Sequence, residues 1–484
     1  GERINPSMCQ RAVSYLALSR LGLRLTDLES LLETEQITFQ TLEFAQFVNY
    51  MNELFLLRAD GRYDFLHKSL RQGLLRHMTA TGMNLTEGHE KIVSHLESLP
   101  DDDIIQIQEI TWESMQADDP YSFYHWLSHI WSCTGDEKAA AARDIAEKCR
   151  EDEGLWIAGS MEGLWEMDYT ERDRNQMLVM GAHFLAVQVC SRFGDSLQEN
   201  RTKIRIGKAA VSNMERLAQE NPSELNLLTL SESCRVLAGY YLKSDQPAER
   251  DQAVPLLEQG RRLMSQRLHR NPAPNDYLRL AEINVILSEI YCLRKDENSL
   301  QRAKEYGEAA LQCQEDAPEE ADEAYKLRMR LNSHMAIAQV CTVTRTPDSL
   351  HLAYSHTLSC TQELENLLAE DHRQTYLDML GRIDTCLVGL CQNITDICGE
   401  NLDEEALTHA IRARDLLEER MRYRNTPETR NGLASAWYVL GNAHRRFKDA
   451  SHSREAVACL QKSTQLNQAL EKELGTPASR NSQA

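Results

Sequence analysis

The C-terminal half of the 484-residue sequence repeats with a period of about fifty residues. Its last nine residues, TPASRNSQA (476–484), match TPETRNGLA (426–434) at five of nine positions. The same step runs upstream through alanines separated by 50, 50, 53 and 50 residues, which are Ala253, Ala303, Ala353, Ala406 and Ala456. A fixed period of this length is typical of a chain built from stacked copies of one supersecondary unit.

Each copy contains two helical segments. Apolar stretches of helical period precede the alanines by 18 or 19 residues when they are anchored on Arg235, Asn284, His334, Leu387 and Trp437. Strand signals are absent from the copies, and most second segments are followed by a dipeptide such as Asn271-Pro272, through which a helix does not continue. The pattern therefore predicts a helix, a short loop and a longer helix in every repeat.

A weaker copy at residues 176–222 extends the predicted array over residues 176–484, with the last repeat incomplete. The predicted fold is all-α, a right-handed superhelical array of helical hairpins behind a smaller N-terminal domain. The ending is interpreted either as a degenerate cap or as a truncated repeat. Because the sequence begins at Gly1 without an initiator methionine, we expect it to be part of a longer chain.

The last copy resembles the tetratricopeptide repeat (TPR). Its matches to the pattern W-x2-L-G-x2-Y, A-x3-F and P are Trp437, Leu440, Gly441, His444 (in the tyrosine place), Ala456, Leu460 (in the phenylalanine place) and Pro477. The period of about fifty departs from the usual 34 residues, and the other copies keep few signature residues. The resemblance implies a concave surface, formed by the first helices, that binds a protein or peptide.

Residues 1–96 do not repeat and show a different order of elements. Three helical segments precede two short strand signals around Ala59-Asp60-Gly61, and another helix follows. This is the order of a winged-helix domain, a fold that often binds DNA through its third helix. Residues 36–57 contain no Lys or Arg and two acids, Glu43 and Glu53, so we interpret the domain as a packing and regulatory module.

Residues 97–175 form a predicted helical linker region. They contain Trp112, Trp126, Trp131, Trp156 and Trp165. These indoles could form an exposed binding surface, but their large apolar area favours a role as core anchors.

The front of the chain resembles a known family. The runs ALSRLGLRLTDLESLL (17–32) and DFLHKSLRQGL (64–74) are similar to the winged helix that follows the nucleotide-binding core of STAND NTPases of the NACHT kind. Tetratricopeptide-type arrays frequently follow in that family. The resemblance implies that His67 contacts the phosphates of ADP in the parent chain and helps hold its resting state. The alternative is a partly buried histidine that caps the next helix.

The 484 residues contain no phosphate-binding loop of the form G-x-x-x-x-G-K-[ST], since Gly207-Lys208-Ala209 lacks the first glycine and the hydroxyl. They are therefore predicted to be non-catalytic and to hold no cofactor. A domain that binds ADP or ATP is expected upstream of Gly1. The segment HEKIVSH (89–95) has the wrong spacing for a helical zinc pair, so no metal site is predicted.

The net charge is −21, of which residues 1–100 carry 10 − 12 = −2. An acidic chain argues against nucleic acid and anionic membrane as partners, although acid that only keeps helices soluble explains the charge equally well. Thirteen scattered cysteines without a C-x-x-C pair predict buried thiols in a reducing cytoplasm.

One position in each repeat is a candidate ligand contact. Five residues after each anchor, on the face predicted to be concave, lie Tyr240, Glu289, Gln339, Gln392 and Asn442. Such a row can hydrogen-bond the backbone of an extended segment, and the neighbouring Arg445 and Arg446 would suit a carboxylate on the partner. The alternative is that these are solvated side chains without a special role.

The predicted function is that of the non-catalytic sensor region of a signalling STAND NTPase. The array would bind a protein or peptide, and the winged helix would couple that event to nucleotide state through His67. One alternative is a TPR scaffold that assembles partners without a nucleotide. Another is an ATP-dependent transcription activator, which would need a DNA-binding domain elsewhere.

Overall fold

The computed structural model describes residues 5–100, 102–130, 133, 135–167, 170–194, 196–370 and 374–474. Trp131 and the repeat-like ending 476–484, with its Pro477, lie outside these residues. Residues up to Leu263 form one compact unit, and residues from Met264 onward form a second. The domain boundaries placed after residues 96 and 175 remain predictions.

The first unit opens with three helices, a hairpin and a fourth helix. These are α1 (Pro6–Leu18), α2 (Leu25–Thr34), α3 (Thr41–Tyr50), β1 (Phe55–Leu57), β2 (Tyr63–Phe65) and α4 (Lys68–Ala80). β1 and β2 pair antiparallel with Phe55 opposite Phe65, and Leu23 forms a further bridge to Tyr63. The fully buried Tyr15 belongs to the core on which the hairpin packs. The element order predicted for residues 1–96 is confirmed.

The remainder of the first unit is helical over its described residues. Its helices are α5 (Leu85–Glu97), α6 (Ile104–Gln116), α7 (Pro120–Ile130), α8 (Gly135–Asp152), α9 (Leu155–Gly163), α10 (Glu171–His183), α11 (Leu197–Glu220), α12 (Glu224–Leu242), α13 (Pro247–Arg250) and α14 (Ala253–Arg270), which runs into the second unit. After α10 the chain continues as a π-helical turn, Phe184–Val189, and a 3-10 turn, Cys190–Arg192. Trp126 and Trp165 are buried, which supports their role as core anchors.

The second unit consists of successive helical hairpins. Its helices are α15 (Asp276–Arg294), α16 (Glu297–Glu315), α17 (Glu323–Thr344), α18 (Pro347–Glu370), α19 (Gln374–Cys398), α20 (Asp403–Tyr423), α21 (Pro427–Arg445) and α22 (Ala450–Leu474). Each odd-numbered helix packs closely against the even-numbered helix that follows it. The fold is thus an all-α array of TPR-like hairpins, as predicted.

The expectation of a longer second helix in every repeat is wrong. Helices α15 and α16 have 19 residues each, and α19 with 25 residues is longer than α20 with 21. The apolar face of α19 continues to the fully buried Ile394, so packing stabilises its last turns. Both helices of a hairpin carry the additional length of this repeat.

The repeated alanines mark the points where the two helices of a hairpin approach closely. Ala303 and Ala353 are fully buried. Across the first hairpin, Ser288 Oγ donates a 2.7 Å hydrogen bond to the carbonyl of Ala303. At Gly441 a Cβ would lie 3.2 Å from the carbonyl oxygen of Ala456. Only small side chains fit such contacts, which explains why they recur in the sequence.

Proline dipeptides separate some hairpins and also begin the next helix. Pro427 is the first residue of α21, and Thr426 Oγ1 accepts a hydrogen bond from the backbone N–H of Thr429. Proline at this position loses no helical hydrogen bond, because the first N–H groups of a helix have no partner within it.

Candidate functional site

A groove of about 410 Å³ lies within the second unit, mainly between α15, α17 and α19. Its lining residues are Glu289, Asn332, Met335, Ala336, Ala338, Gln339, Thr342, Val343, Thr357, Cys386, Gly389, Leu390 and Asn393. With the exception of Thr357, they all belong to the first helices of three successive hairpins. The groove therefore lies on the first helices of the hairpins, on which the repeat pattern predicted ligand binding.

Helical spacing places the lining residues of α17 on one stripe. Asn332, Met335, Gln339 and Thr342 follow one another at intervals of three or four residues, so they share one face of the helix. Asn332 and Gln339 are exposed, and their side-chain amides are without a hydrogen bond among the described residues. On α19, the half-buried Asn393 contributes a further amide. An amide offers both a donor and an acceptor to an incoming peptide group.

The structure brings together two of the five predicted row positions. Glu289 and Gln339 both line the groove. Gln392 is half-buried on α19 beside the lining residue Asn393, and Asn442 is half-buried on α21. The predicted row contains one residue per repeat and therefore did not include Asn332, which lies two helical turns before Gln339 on the same face. The periodicity of the α17 polar residues was the signal that would have identified it.

Tyr240 lies in the first unit and is engaged there. Its hydroxyl donates a 2.9 Å hydrogen bond to the carbonyl of Ala186, and its own carbonyl accepts from Asn200 Nδ2 at 3.2 Å. Burial is the main cause that raises the pKa of its phenol. A ligand would have to displace the Ala186 contact in order to use this hydroxyl.

The two arginines after Asn442 differ from each other. Arg446 Nη2 donates to Asp396 Oδ1 at 2.7 Å, and its Nε donates to Asp403. These hydrogen bonds raise the pKa of the guanidinium, Asp396 being the largest cause. Arg445 is exposed. A partner carboxylate at this end of the array would compete with Asp396 and Asp403 for Arg446, but not for Arg445.

Glu289 has an unusual environment for a surface acid. Its side chain is open to solvent at the groove, yet the surrounding walls exclude enough water to raise the pKa of its carboxyl. Among the described residues, its carboxylate has neither a hydrogen bond nor an ion pair. The groove therefore presents one carboxylate without a counter-ion.

His67 occupies the position immediately before α4. Its carbonyl accepts a 3.1 Å hydrogen bond from the N–H of Leu70, but its side chain makes no capping hydrogen bond and is exposed. His67 is therefore the N-cap residue of α4, as the alternative expected, but its side chain is neither partly buried nor part of a capping hydrogen bond. Nearby Arg71 donates to Asp64 and, at 2.5 Å, to the carbonyl of Arg20. Contact of His67 with a nucleotide phosphate remains a prediction.

Two features are absent from the part of the chain that the structure describes. No group of three or more His, Cys, Asp or Glu side chains in it is arranged to hold a metal ion. No helix in it combines the length and apolar character needed to cross a membrane.

Neither a protein-family model nor a curated protein matches the chain. Among solved structures, BtubC (BKLC) from P. vanneervenii is 18% identical over 56% of this chain and 92% of its own, with a TM-score of 0.41. A STAND (Signal Transduction ATPase with Numerous Domains) protein with a tetratricopeptide repeat sensor from Pyrococcus horikoshii is 10% identical over 96% of this chain and 64% of its own, with a TM-score of 0.40. Yeast Tom70 is 11% identical over 80% of this chain and 96% of its own, with a TM-score of 0.17. At TM-scores below 0.5, no conclusion about this chain rests on these similarities.

Proposed function

We propose that the hairpin array binds an extended protein or peptide segment in the groove between α15, α17 and α19. The observation that carries this proposal is the set of amides on its walls without hydrogen bonds, Asn332, Gln339 and Asn393. Beside them, Met335 and Leu390 provide apolar surface. Polar groups that fix a backbone, together with apolar surface for side chains, form the usual composition of a peptide-binding site.

The wider role is that of a sensor region without catalytic activity in a STAND-type signalling NTPase. In this role the ligand binds the array, and the N-terminal domain, a winged helix by its element order, transmits the event to a nucleotide-binding domain upstream of Gly1. His67 contacts the phosphates of ADP held by that domain; its exposure before α4 supports such a contact. The thirteen scattered cysteines, without a C-x-x-C pair, support a location in the reducing cytoplasm.

The groove is tested with a phage-displayed library of random dodecapeptides. The wild-type chain is expected to enrich a family of peptides, and the variant N332A/Q339A/N393A is expected to lose them. A matched control, Q362A/Q461A/Q465A, removes three exposed amides from the second helices α18 and α22. Circular dichroism checks that both variants keep their helical content. Equal enrichment by the wild type and the groove variant would contradict the proposal.

The nucleotide coupling is tested separately. Sequencing the gene upstream of the Gly1 codon is expected to reveal a phosphate-binding loop. In the full-length protein, the substitution His67→Ala is then expected to accelerate ADP release, because one contact with the phosphates is lost. Absence of the loop would favour the scaffold alternative. Unchanged ADP release would assign His67 no role in nucleotide sensing.

A further inference from the structure

The groove has an asymmetric charge. Of its described lining residues, Glu289 is the one with a formal charge, and the others are apolar or neutral. The other acids of α15 are already engaged. On the same helix, Glu282 accepts a 2.8 Å hydrogen bond from the hydroxyl of Tyr325. The buried Asp276 accepts from Arg267 Nε at 2.7 Å and pairs with Arg279.

Partial dehydration of the Glu289 carboxylate has only a modest cost in the free protein, because the side chain remains exposed to solvent. Water that the walls exclude no longer solvates the charge, and no cation among the described residues replaces it. A ligand that brings a cation to this position relieves that cost. A ligand with a neutral group next to Glu289 leaves this desolvation cost unchanged, and a ligand with an acidic group increases it.

We propose that the segment bound in this groove carries a lysine or arginine whose side chain forms an ion pair with Glu289. This inference rests on the proposed function, since it specifies the chemistry of the same ligand. The aliphatic stem of a lysine or arginine can lie along apolar lining residues such as Met335 and Val343, while its charged end reaches the carboxylate. The net charge of −21 favours approach of a basic segment over an acidic one.

The first experiment repeats the library selection and reads the composition of the enriched peptides. Peptides selected by the wild type are expected to share a Lys or Arg at one position. Those selected by the variant Glu289→Gln are expected to lose that preference while still being captured. The matched control is Glu315→Gln, which removes an exposed glutamate from α16, the second helix of the same hairpin, and should keep the preference.

The second experiment measures affinity with one selected peptide and two synthetic versions of it. Replacing its conserved basic residue by norleucine keeps the aliphatic stem and is expected to weaken binding to the wild type about tenfold, with little change for Glu289→Gln. A peptide with glutamate at this position is expected to bind the wild type least and to regain affinity for the variant Glu289→Lys. Recovery by this exchange of charges would assign the contact to this pair of side chains.

The outcomes separate the two proposals. Enrichment of peptides without a basic preference, or equal loss from norleucine in the wild type and in Glu289→Gln, would overturn the ion pair and leave the peptide groove in place. Enrichment of no peptide by the wild-type chain would contradict the peptide groove and, with it, the ion pair.

Discussion

The N-terminal part of the first unit and the hairpins of the second differ in how far along the sequence their polar contacts reach. In the former, the backbone N–H of Arg20 donates to Glu109, 89 residues away, at 3.2 Å. In the latter, Ser288 bonds the carbonyl of Ala303, 15 residues away. Arg412 reaches Asp384 over 28 residues. The polar contacts between described residues of the second unit thus stay within one repeat or extend to the next.

This difference separates what a periodic sequence determines from what it does not. In an array, each helix meets its neighbour in sequence, so the same local pattern generates the same contact in every copy. In the N-terminal part, Arg71 binds the nearby Asp64 and also donates to the carbonyl of Arg20, 51 residues upstream. No repetition in the sequence predicts that cluster. A substitution should therefore be tolerated differently in the two parts, even when the chemical change is the same.

The largest contrast is expected from one substitution, glycine to alanine, made in each part. Gly22 has a φ of +86°, and a Cβ there would overlap the backbone carbonyl of Tyr63, next to the Leu23–Tyr63 bridge. Backbone cannot move aside without breaking that bridge. We expect Gly22→Ala to lower the free energy of unfolding of the first unit by about 3–5 kcal/mol.

Gly441→Ala is the matched change in the second unit. The new Cβ would lie 2.8 Å from Leu460 Cγ and 3.2 Å from the carbonyl oxygen of Ala456, so the leucine side chain must shift. Part of this cost is offset because alanine favours a helix over glycine. The expected loss is about 1 kcal/mol. Hydrogen exchange followed by mass spectrometry gives the stability of each part separately through peptides from residues 23–63 and 437–460. Equal losses in the two parts would contradict the contrast.

A smaller effect, dependent on pH, is expected at Glu109. Burial, only partly opposed by the charge of Arg20, raises the pKa of this carboxyl to about 8. A pKa raised on folding gives stability that is present at low pH and is lost as pH rises from the ordinary value of 4.5 to about 8. Glu109→Gln mimics the protonated acid, so it should match the wild type near pH 4.5. By pH 6 it should already be more stable by about 2 kcal/mol, and this difference should continue to grow up to pH 8.

Hydrogen exchange of α6 between pH 5 and pH 8 measures this difference, after correction for the intrinsic exchange rate. The control is Glu90→Gln, which changes an exposed acid on α5 and should keep a constant difference from the wild type. A constant difference for Glu109→Gln as well would show that burial of Glu109 does not influence stability in this pH range.

The sequence predicted the helical hairpins, because each of them depends on spacing within one copy. It predicted less well which polar side chains lack hydrogen bonds within the protein. Tyr240 was placed in the ligand row, but its hydroxyl bonds Ala186, 54 residues upstream, in a π-helical turn that no periodic pattern indicates. The sequence pattern predicts on which face of a helix a side chain lies. Its hydrogen-bond partners depend on tertiary contacts, which the pattern does not contain.

Arg446 gives the smallest expected effect and a test of this point. Its partner Asp396 lies 50 residues upstream, one period of the array, so a search for opposite charges one repeat apart would have found the pair. The side chain of Asp396 is 59% exposed, and such a pair contributes little because water and salt screen it. We expect Arg446→Ala to lower the stability of α21 by at most about 1 kcal/mol at low salt, and less at high salt. Arg445→Ala, at the exposed neighbouring position, should have no measurable effect on stability.

If hydrogen exchange shows a larger loss for Arg446→Ala that persists at high salt, the contact between these two hairpins depends on this arginine more than its exposure implies. If Arg446→Ala instead leaves stability unchanged and abolishes peptide capture, the ion pair with Asp396 breaks when the ligand binds. Arg446 then contacts the ligand, as the sequence predicted.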